Sequence, residues 1–181
     1  MGKPGAPVTL AALTALAFMV AGCGGGGGGA QAGGETTTAD DETTTSEDPQ
    51  ESRKAAVVAA YETSWTDFIK AGDPPSPDAE FLADHMAGDA LEVSRNLLNE
   101  LQAEGVVLRG TYQFDARVTE LANDRAVVED CGLDQMEVVS PTSSEAVEPH
   151  DDERDGVVAE LTLEGGSWKV ISYADDGQVC A

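Results

Sequence analysis

The chain is poor in positive charge. Its 181 residues include 10 Lys and Arg against 34 Asp and Glu, which gives a formal net charge of −24. Between residues 55 and 181 there are 27 acidic and seven basic residues, so the acidity is not confined to one tail. Nucleic-acid phosphates and anionic lipids both attract basic surfaces, so the composition argues against either as a direct partner. We favour solubility at a cell surface as the reason for the acidity, with a cationic partner or cation sequestration as the alternative.

The N-terminal apolar segment is too short to span a membrane. Leu10–Val20 has eleven residues, whereas a membrane-spanning helix needs about 20. The length fits the apolar region of a secretory signal, about 7–15 residues, and Lys3 supplies the preceding positive charge. The pattern Val20-Ala21-Gly22-Cys23 resembles a bacterial lipobox. This resemblance implies that residues 1–22 are a lipoprotein signal peptide and that Cys23 is acylated, as with palmitate. An ordinary secretory signal and a buried N-terminal helix are the alternatives.

The segment after Cys23 lacks the apolar residues that a folded core requires. Residues 24–34 contain eight glycines, and residues 35–52 are rich in Thr and acidic side chains. Such sequences bury too little apolar surface to offset the entropy of ordering. We predict that residues 23–52 form a disordered tether and that residues 53–181 form one globular domain. Two or more acyl chains give stable anchoring, so the predicted location is the extracytoplasmic face of the cell membrane, with the membrane as a partner through the lipid.

Cysteine is scarce, and its number is odd. If Cys23 carries lipid, only Cys131 and Cys180 remain. An exported protein meets an oxidising environment, which favours a disulfide between them. A metal site or a catalytic thiol is the alternative, but the sequence lacks a CxxC motif and clustered histidines. The sequence therefore predicts a disulfide and indicates no metal and no cofactor.

The first half of the domain has a helical apolar pattern. Side chains at steps of three and four predict a helix over residues 52–71, ended by Gly72. Ser76-Pro77 predicts the start of a second helix that ends at Gly88. Asp89 and Glu92 resemble a capping box for a third helix, which we expect to end at Gly105.

The second half changes to an alternating pattern. Apolar residues recur at every second position, which is typical of half-buried strands. Gly165-Gly166 predicts a hairpin turn between the last two strands, and residues 141–155 are a polar loop. The predicted strands are 106–118, 126–131, 136–139, 157–163 and one that begins at 168. Helices followed by an antiparallel meander predict an α+β fold.

Two stretches resemble a known family. The sequences AVVEDC at 126–131 and GSWKVISY at 166–173, with Cys180 near the end, are similar to actinobacterial lipoproteins of the nuclear transport factor 2-like superfamily. The resemblance covers about residues 55–181. It implies three N-terminal helices packed on a curved antiparallel sheet, in a cone-like arrangement with an apolar pocket at its mouth. It identifies no catalytic residue in this chain.

The sequence pattern indicates only weak candidates for pocket residues: Tyr61, Trp65, Tyr112 and Asp130. The tyrosines lie on apolar faces, where such side chains usually pack with the hydroxyl satisfied at an edge. We expect Asp130 to face solvent or to pair with an arginine, and His85 to lie on a helix surface. Residues 148–155 are rich in oxygen ligands, but they lack the spacing and glycine of an EF-hand, so a solvated loop is the simpler interpretation.

Two functional hypotheses follow. The first is a non-catalytic surface module that binds a small apolar ligand or a protein partner, because the sequence contains no catalytic constellation. The alternative is a small pocket enzyme of the isomerase or dehydratase kind, with Asp130 or His85 as general base. A carboxylate base would need burial to raise its pKa towards neutrality.

Overall fold

The computed structural model describes residues 48–143, 146–147 and 154–181. Within them, all helices precede all strands, and the strands form one antiparallel sheet. This confirms the expected α+β class. The predicted signal peptide, Cys23 and most of the tether lie outside the described residues. The elements are α1 (Pro49–Ala71), α2 (Leu82–His85), α3 (Gly88–Glu104), β1 (Val107–Gln113), β2 (Ala116–Leu121), β3 (Arg125–Val139), β4 (Arg154–Glu164) and β5 (Ser167–Asp175).

Helix α1 begins earlier than the sequence pattern predicted. The Asp48 side chain accepts a hydrogen bond of 2.9 Å from the backbone N–H of Gln50, and Pro49 occupies the first helical position. An acidic N-cap followed by proline is a favourable helix start. Residues 49–52, which were assigned to the tether, are therefore helical, and the ordered domain begins before residue 53.

The second and third helices differ from the prediction at their starts. Pro77 lies in a turn directly after Ser76, and α2 comprises only the four residues Leu82–His85, so it also ends before the predicted stop at Gly88. Helix α3 begins at Gly88, with Ala87 at the N-cap and no side-chain cap, so the Asp89–Glu92 capping box was wrong. Its end at Gly105, which adopts φ 70°, is as predicted.

The strand expected over residues 106–118 is interrupted. β1 and the first part of β2 pair with β3 in the same register, since Gln113 lies opposite Leu133 and Ala116 lies opposite Asp130. The register of β2 then shifts between Val118 and Glu120. Only Phe114 and Asp115, between β1 and β2, fall outside the assigned strands. Conversely, the two strands expected at 126–131 and 136–139 are one continuous strand, β3, and β4 begins inside the expected loop.

The β4–β5 hairpin turns as expected. Gly165 and Gly166 adopt φ values of 60° and 89°, and Glu164 pairs with Ser167. Positive φ at both central residues is the geometry of a type I′ turn, which suits the twist of the flanking strands.

Two apolar clusters hold the helices in place. The first joins α1 to the inner face of the sheet and contains Val57, Tyr61, Ala90, Ala126, Val128, Ala159, Leu161, Trp168 and Val170. The second lies where α1 ends beside α2 and α3 and contains Ala71, Leu82, Met86 and Leu98. The core thus lies between the helices and one face of the sheet, with α1 shared by both clusters.

The predicted disulfide is confirmed. Cys131 and Cys180 are bonded, with their Cα atoms 5.1 Å apart. The chain after β5 turns back to reach β3, and the N–H of Asp176 donates to the Gly156 carbonyl at 2.8 Å. A Cβ at Gly156 would collide with the Asp176 carbonyl, so glycine permits this close approach.

Candidate functional site

Asp130 is the most unusual residue of the sheet, because it is a carboxylate with no exposed surface. It lies on β3 at the interruption between β1 and β2. Its Oδ1 accepts the backbone N–H of Asp115 at 2.6 Å, and its Oδ2 accepts the Tyr61 hydroxyl at 3.0 Å. The Asp130 side chain thus accepts the N–H of Asp115, which lies between β1 and β2. Through Tyr61 it also links this segment to α1.

The expectation that Asp130 faces solvent or pairs with an arginine was wrong. Ala126 and Val128 are buried on β3, and residue 130 continues their alternation onto the inner face. The nearby Arg154 instead donates to the Cys131 carbonyl at 2.8 Å. The alternation was visible in the sequence, but the hydroxyl partner 69 residues away was not.

The four predicted pocket candidates do come together. The Trp65 ring stacks on Tyr112 with centroids 4.8 Å apart and planes 8° apart. Tyr61 and Tyr112 each contact Phe114, at centroid distances of 6.0 and 4.9 Å. We call Tyr61, Trp65, Tyr112 and Asp130 the Asp130 cluster.

Gly132 makes room for this cluster. A Cβ at that position would collide with the ring and hydroxyl of Tyr112. Within the described residues, the Tyr112 hydroxyl and the Trp65 indole N–H are buried without a hydrogen-bond partner. Among the described residues, the Tyr61 hydroxyl and the Asp115 N–H donate to the carboxylate.

Burial perturbs the titration of the whole cluster. It raises the pKa of Asp130, and the hydrogen bonds from Asp115 and Tyr61 oppose this effect. Burial, reinforced by the Asp130 charge, raises the pKa values of Tyr61 and Tyr112 well above the usual value for a phenol. Burial also raises the pKa of Tyr173 to about 12, so all three phenols are protonated at neutral pH.

The geometry of Asp130 suits a structural role better than proton transfer. A general base must come within about 2.6–3.2 Å of the proton that it removes, directly or through one water. Asp130 has no exposed surface, and each of its oxygens already accepts a hydrogen bond.

His85, the other candidate base, lies apart from this cluster on α2. Its Nδ1 lies 2.9 Å from Oδ2 of Asp67, and about a third of its side chain is exposed. His85 is therefore a partly exposed helix residue beside a carboxylate, which agrees roughly with the predicted position on a helix surface.

An apolar cavity of about 330 Å³ lies beside Trp65, between α1, α3 and the strands β4 and β5. We call it the Trp65 cavity. Asp175 is the one charged residue in its described lining, and Val93 and Leu97 leave 54% and 46% of their surfaces exposed. The lining residues are Trp65, Phe68, Val93, Ser94, Leu97, Val157, Tyr173 and Asp175.

A second cavity, of about 430 Å³, lies beside the first, between α3 and the β1–β3 edge of the sheet. We call it the Met136 cavity. Phe68 and Leu97 line both cavities, so these two side chains form the boundary between them. The other apolar walls of the Met136 cavity are Leu101, Leu108, Met136, Val138 and Val147, and its charged residues are Glu100, Glu104 and Asp134.

The sequence predicted only part of the lining of the Trp65 cavity. Of the four candidates, Trp65 alone lines the Trp65 cavity, whereas Tyr112 lines a separate one of about 310 Å³. The apolar pattern of the third helix did not distinguish Leu97 from Leu98, of which the structure exposes the first and buries the second. Tyr173 and Asp175 depend on the docking of α1 against β5, which no local pattern reveals.

Within residues 48–143, 146–147 and 154–181, no three His, Cys, Asp or Glu side chains are grouped to hold a metal ion. No helix in this same part of the chain is long and apolar enough to cross a membrane. Most of the acidic loop at 148–155 lies outside the described residues.

Comparisons with known proteins bear on the fold. No family model matches the chain, and no curated protein matches it. The solved intermembrane space region of the chloroplast protein ARC6 is similar, with a TM-score of 0.51 and 16% identity over 71% of this chain and 95% of that chain. A domain of unknown function with a cystatin-like fold, from Nostoc punctiforme, has a TM-score of 0.45 and 13% identity over 66% of this chain and 76% of that chain. The likeness to the ARC6 region shows a shared fold and nothing about binding or activity.

Proposed function

We propose that this protein is a lipid-anchored surface module that binds a small apolar ligand without chemical turnover. The single observation that carries the binding role is the Trp65 cavity, which is apolar and borders two half-exposed side chains, Val93 and Leu97. Ligand sites are typically apolar clefts of about 300–1,000 Å³ with few polar groups. The Trp65 cavity fits this description at its lower limit.

The apolar surface supports binding for a physical reason. Large apolar side chains that remain in water cost about 25 cal/mol per Å² of surface that a ligand would cover. Two such residues on one helix, lining one cavity, mark a site that gains free energy when it is occupied. The adjoining Met136 cavity extends the apolar surface beyond Phe68 and Leu97.

The alternative is a pocket enzyme that uses Asp130 as general base. Burial and a raised pKa favour it in principle. The carboxylate, however, is sealed beneath the aromatic side chains and engaged by two donors. We therefore prefer the non-catalytic role and assign the Asp130 cluster to fold stability.

The proposed anchor and family rest on the sequence. The apolar run, the lipobox-like VAGC and the predicted tether support export and acylation at Cys23. The order of helices followed by an antiparallel sheet supports membership of the nuclear transport factor 2-like superfamily. Replacing Cys23 with Ser should release the protein from membranes or leave the signal uncleaved. Membrane retention of a correctly cleaved Cys23→Ser protein would contradict the anchor.

Native mass spectrometry tests the binding role. The purified full chain should carry a co-purified ligand as an added mass. The purified Leu97→Glu variant should lose it, because the new charge lies at the border of the two cavities, against the apolar part of the ligand. Leu163→Glu is the matched control, because Leu163 is also a partly exposed leucine but does not line the described cavity. An adduct that survives Leu97→Glu, or is lost equally in both variants, would argue against the Trp65 cavity as its site.

A further inference from the structure

We propose that the Trp65 cavity takes an organic cation, a methylated ammonium headgroup on an apolar chain. This proposal rests on the proposed binding role and names the chemical class of the ligand. It combines the arrangement of three aromatic rings, the charge of the lining and the position of the second cavity.

The rings of Trp65, Phe68 and Tyr173 all line the cavity. Trp65 and Phe68 meet almost at right angles, with planes 83° apart and centroids separated by 6.5 Å. Trp65 and Tyr173 are inclined by 57°, with centroids 5.5 Å apart. The cavity wall thus carries aromatic surface from three side chains in different orientations. Aromatic surfaces of this kind attract quaternary ammonium groups through the electron-rich faces of the rings.

Two of these rings are fixed before any ligand arrives. Trp65 stacks on Tyr112, and the Tyr173 hydroxyl lies 2.7 Å from Oγ of Ser64. Rings held by other contacts lose little conformational freedom when they bind, so more of the contact energy is available for affinity.

The charge of the lining selects a cation. Asp175 borders the Trp65 cavity, and Glu100, Glu104 and Asp134 border the Met136 cavity. No Lys, Arg or His belongs to the described lining of either cavity. A fatty-acid carboxylate would therefore meet only like charge. A primary ammonium has three donors and is strongly hydrated, so the apolar lining favours its methylated form.

The second cavity receives the chain. Phe68 and Leu97 border both spaces, so an alkyl chain that extends from the aromatic rings past these two side chains reaches the apolar surface of Leu101 and Met136. This places the headgroup beside Trp65, Tyr173 and Asp175, and the tail between α3 and β3.

Calorimetric titration of the full chain at low ionic strength tests the proposal. Three decyl amphiphiles, used below their micelle concentrations, differ only in the headgroup: trimethylammonium, maltoside and carboxylate. The trimethylammonium compound should bind roughly tenfold more tightly than the maltoside, and decanoate should bind most weakly. Phe68→Leu should reduce this preference while keeping maltoside binding, because it removes a ring face but preserves an apolar wall.

Charge-neutralising variants locate the headgroup. Asp175→Asn should weaken trimethylammonium binding by about threefold at low salt. Glu164→Gln, the same charge change at the distant end of β4, should leave it unchanged. Equal affinity for the trimethylammonium and maltoside compounds, or a preference unchanged in both Phe68→Leu and Asp175→Asn, would overturn the organic-cation proposal while leaving the binding role standing. Failure of all three amphiphiles to bind would contradict the binding role itself.

Discussion

Two regions that meet at Trp65 contrast sharply. In the Asp130 cluster, a carboxylate, two phenols and an indole N–H are buried together. In the Trp65 cavity, most of the wall is apolar, and Val93 and Leu97 remain half-exposed. Buried polar groups are the less common of these two observations. The contrast teaches that the most reactive-looking group, Asp130, is enclosed in the fold, whereas the accessible cavity is mainly apolar, with Asp175 as the one charged residue of its described lining.

The disulfide should give the largest effect on stability. Replacing Cys131 and Cys180 with Ala should lower the free energy of unfolding by about 2–4 kcal/mol, because the bond closes a long loop and restricts the unfolded chain. Urea denaturation would measure this loss. In a Cys23→Ser background, thiol titration of the unfolded, unreduced chain should find no free thiol. Two free thiols would refute the bond.

The next largest effect on the free energy of unfolding should come from Tyr61, and it should distinguish this residue from Tyr112, the other tyrosine of the Asp130 cluster. Tyr61→Phe removes the hydroxyl that donates to Asp130 and should cost about 1–3 kcal/mol. Tyr112→Phe is the matched control, because it removes a buried hydroxyl that has no hydrogen-bond partner within the described residues. That change should be neutral or stabilising. Equal losses in denaturant midpoint for both variants would show that the Tyr61–Asp130 bond does not organise the cluster.

A smaller effect is the change in the free energy of unfolding with pH. Because burial raises the pKa of Asp130 in the folded chain, the folded state holds this proton more tightly than the unfolded state. The resulting stabilisation is complete below the unfolded pKa of about 3.9 and is lost as pH rises through the folded pKa. The free energy of unfolding of the wild type, measured relative to Asp130→Asn, should therefore fall as pH rises from about 4. A constant or rising difference would show that the hydrogen bonds from Asp115 and Tyr61 outweigh burial.

The smallest effect on stability should come from a substitution in the wall of the Trp65 cavity. Leu97→Glu should change the free energy of unfolding by no more than about 0.5 kcal/mol, since the side chain is half-exposed. Its effect on ligand binding should nevertheless be large. A stability loss comparable with that of Tyr61→Phe would mean that Leu97 belongs to the core. The contrast between the Asp130 cluster and the Trp65 cavity would then fail.

Local patterns predicted the elements better than their boundaries. Alternation placed Tyr112 on the inner face, and Gly165-Gly166 specified the hairpin turn. The same reasoning divided β3 into separate strands at 126–131 and 136–139. The structure shows one strand, in which Gly132 gives room for the close approach of the Tyr112 ring. Pairing with the neighbouring strands, which local patterns do not show, thus makes β3 continuous.

The candidate site was predictable as a set of residues but not as an arrangement. Tyr61 and Asp130 were both named from the sequence, yet their hydrogen bond joins α1 to β3 across 69 residues. Alternation along β3 places Asp130 on the inner face, but the hydroxyl that satisfies its carboxylate there was not visible, so its environment was predicted wrongly. The walls supplied by Phe68 and Tyr173 come from separate elements that meet only after folding. Long-range packing therefore decides which aromatic side chains lie in the core and which line the cavity.

The most direct test of the contrast uses the two indole N–H resonances of the chain, because the sequence contains only two tryptophans. Trp65 lines the cavity, whereas Trp168 lies in the core beneath α1 and serves as an internal control. We predict that titration of the full chain with decyl maltoside shifts the Trp65 indole resonance saturably and leaves that of Trp168 in place. If neither resonance moves, or if Trp168 moves and Trp65 does not, the Trp65 cavity is not the binding site.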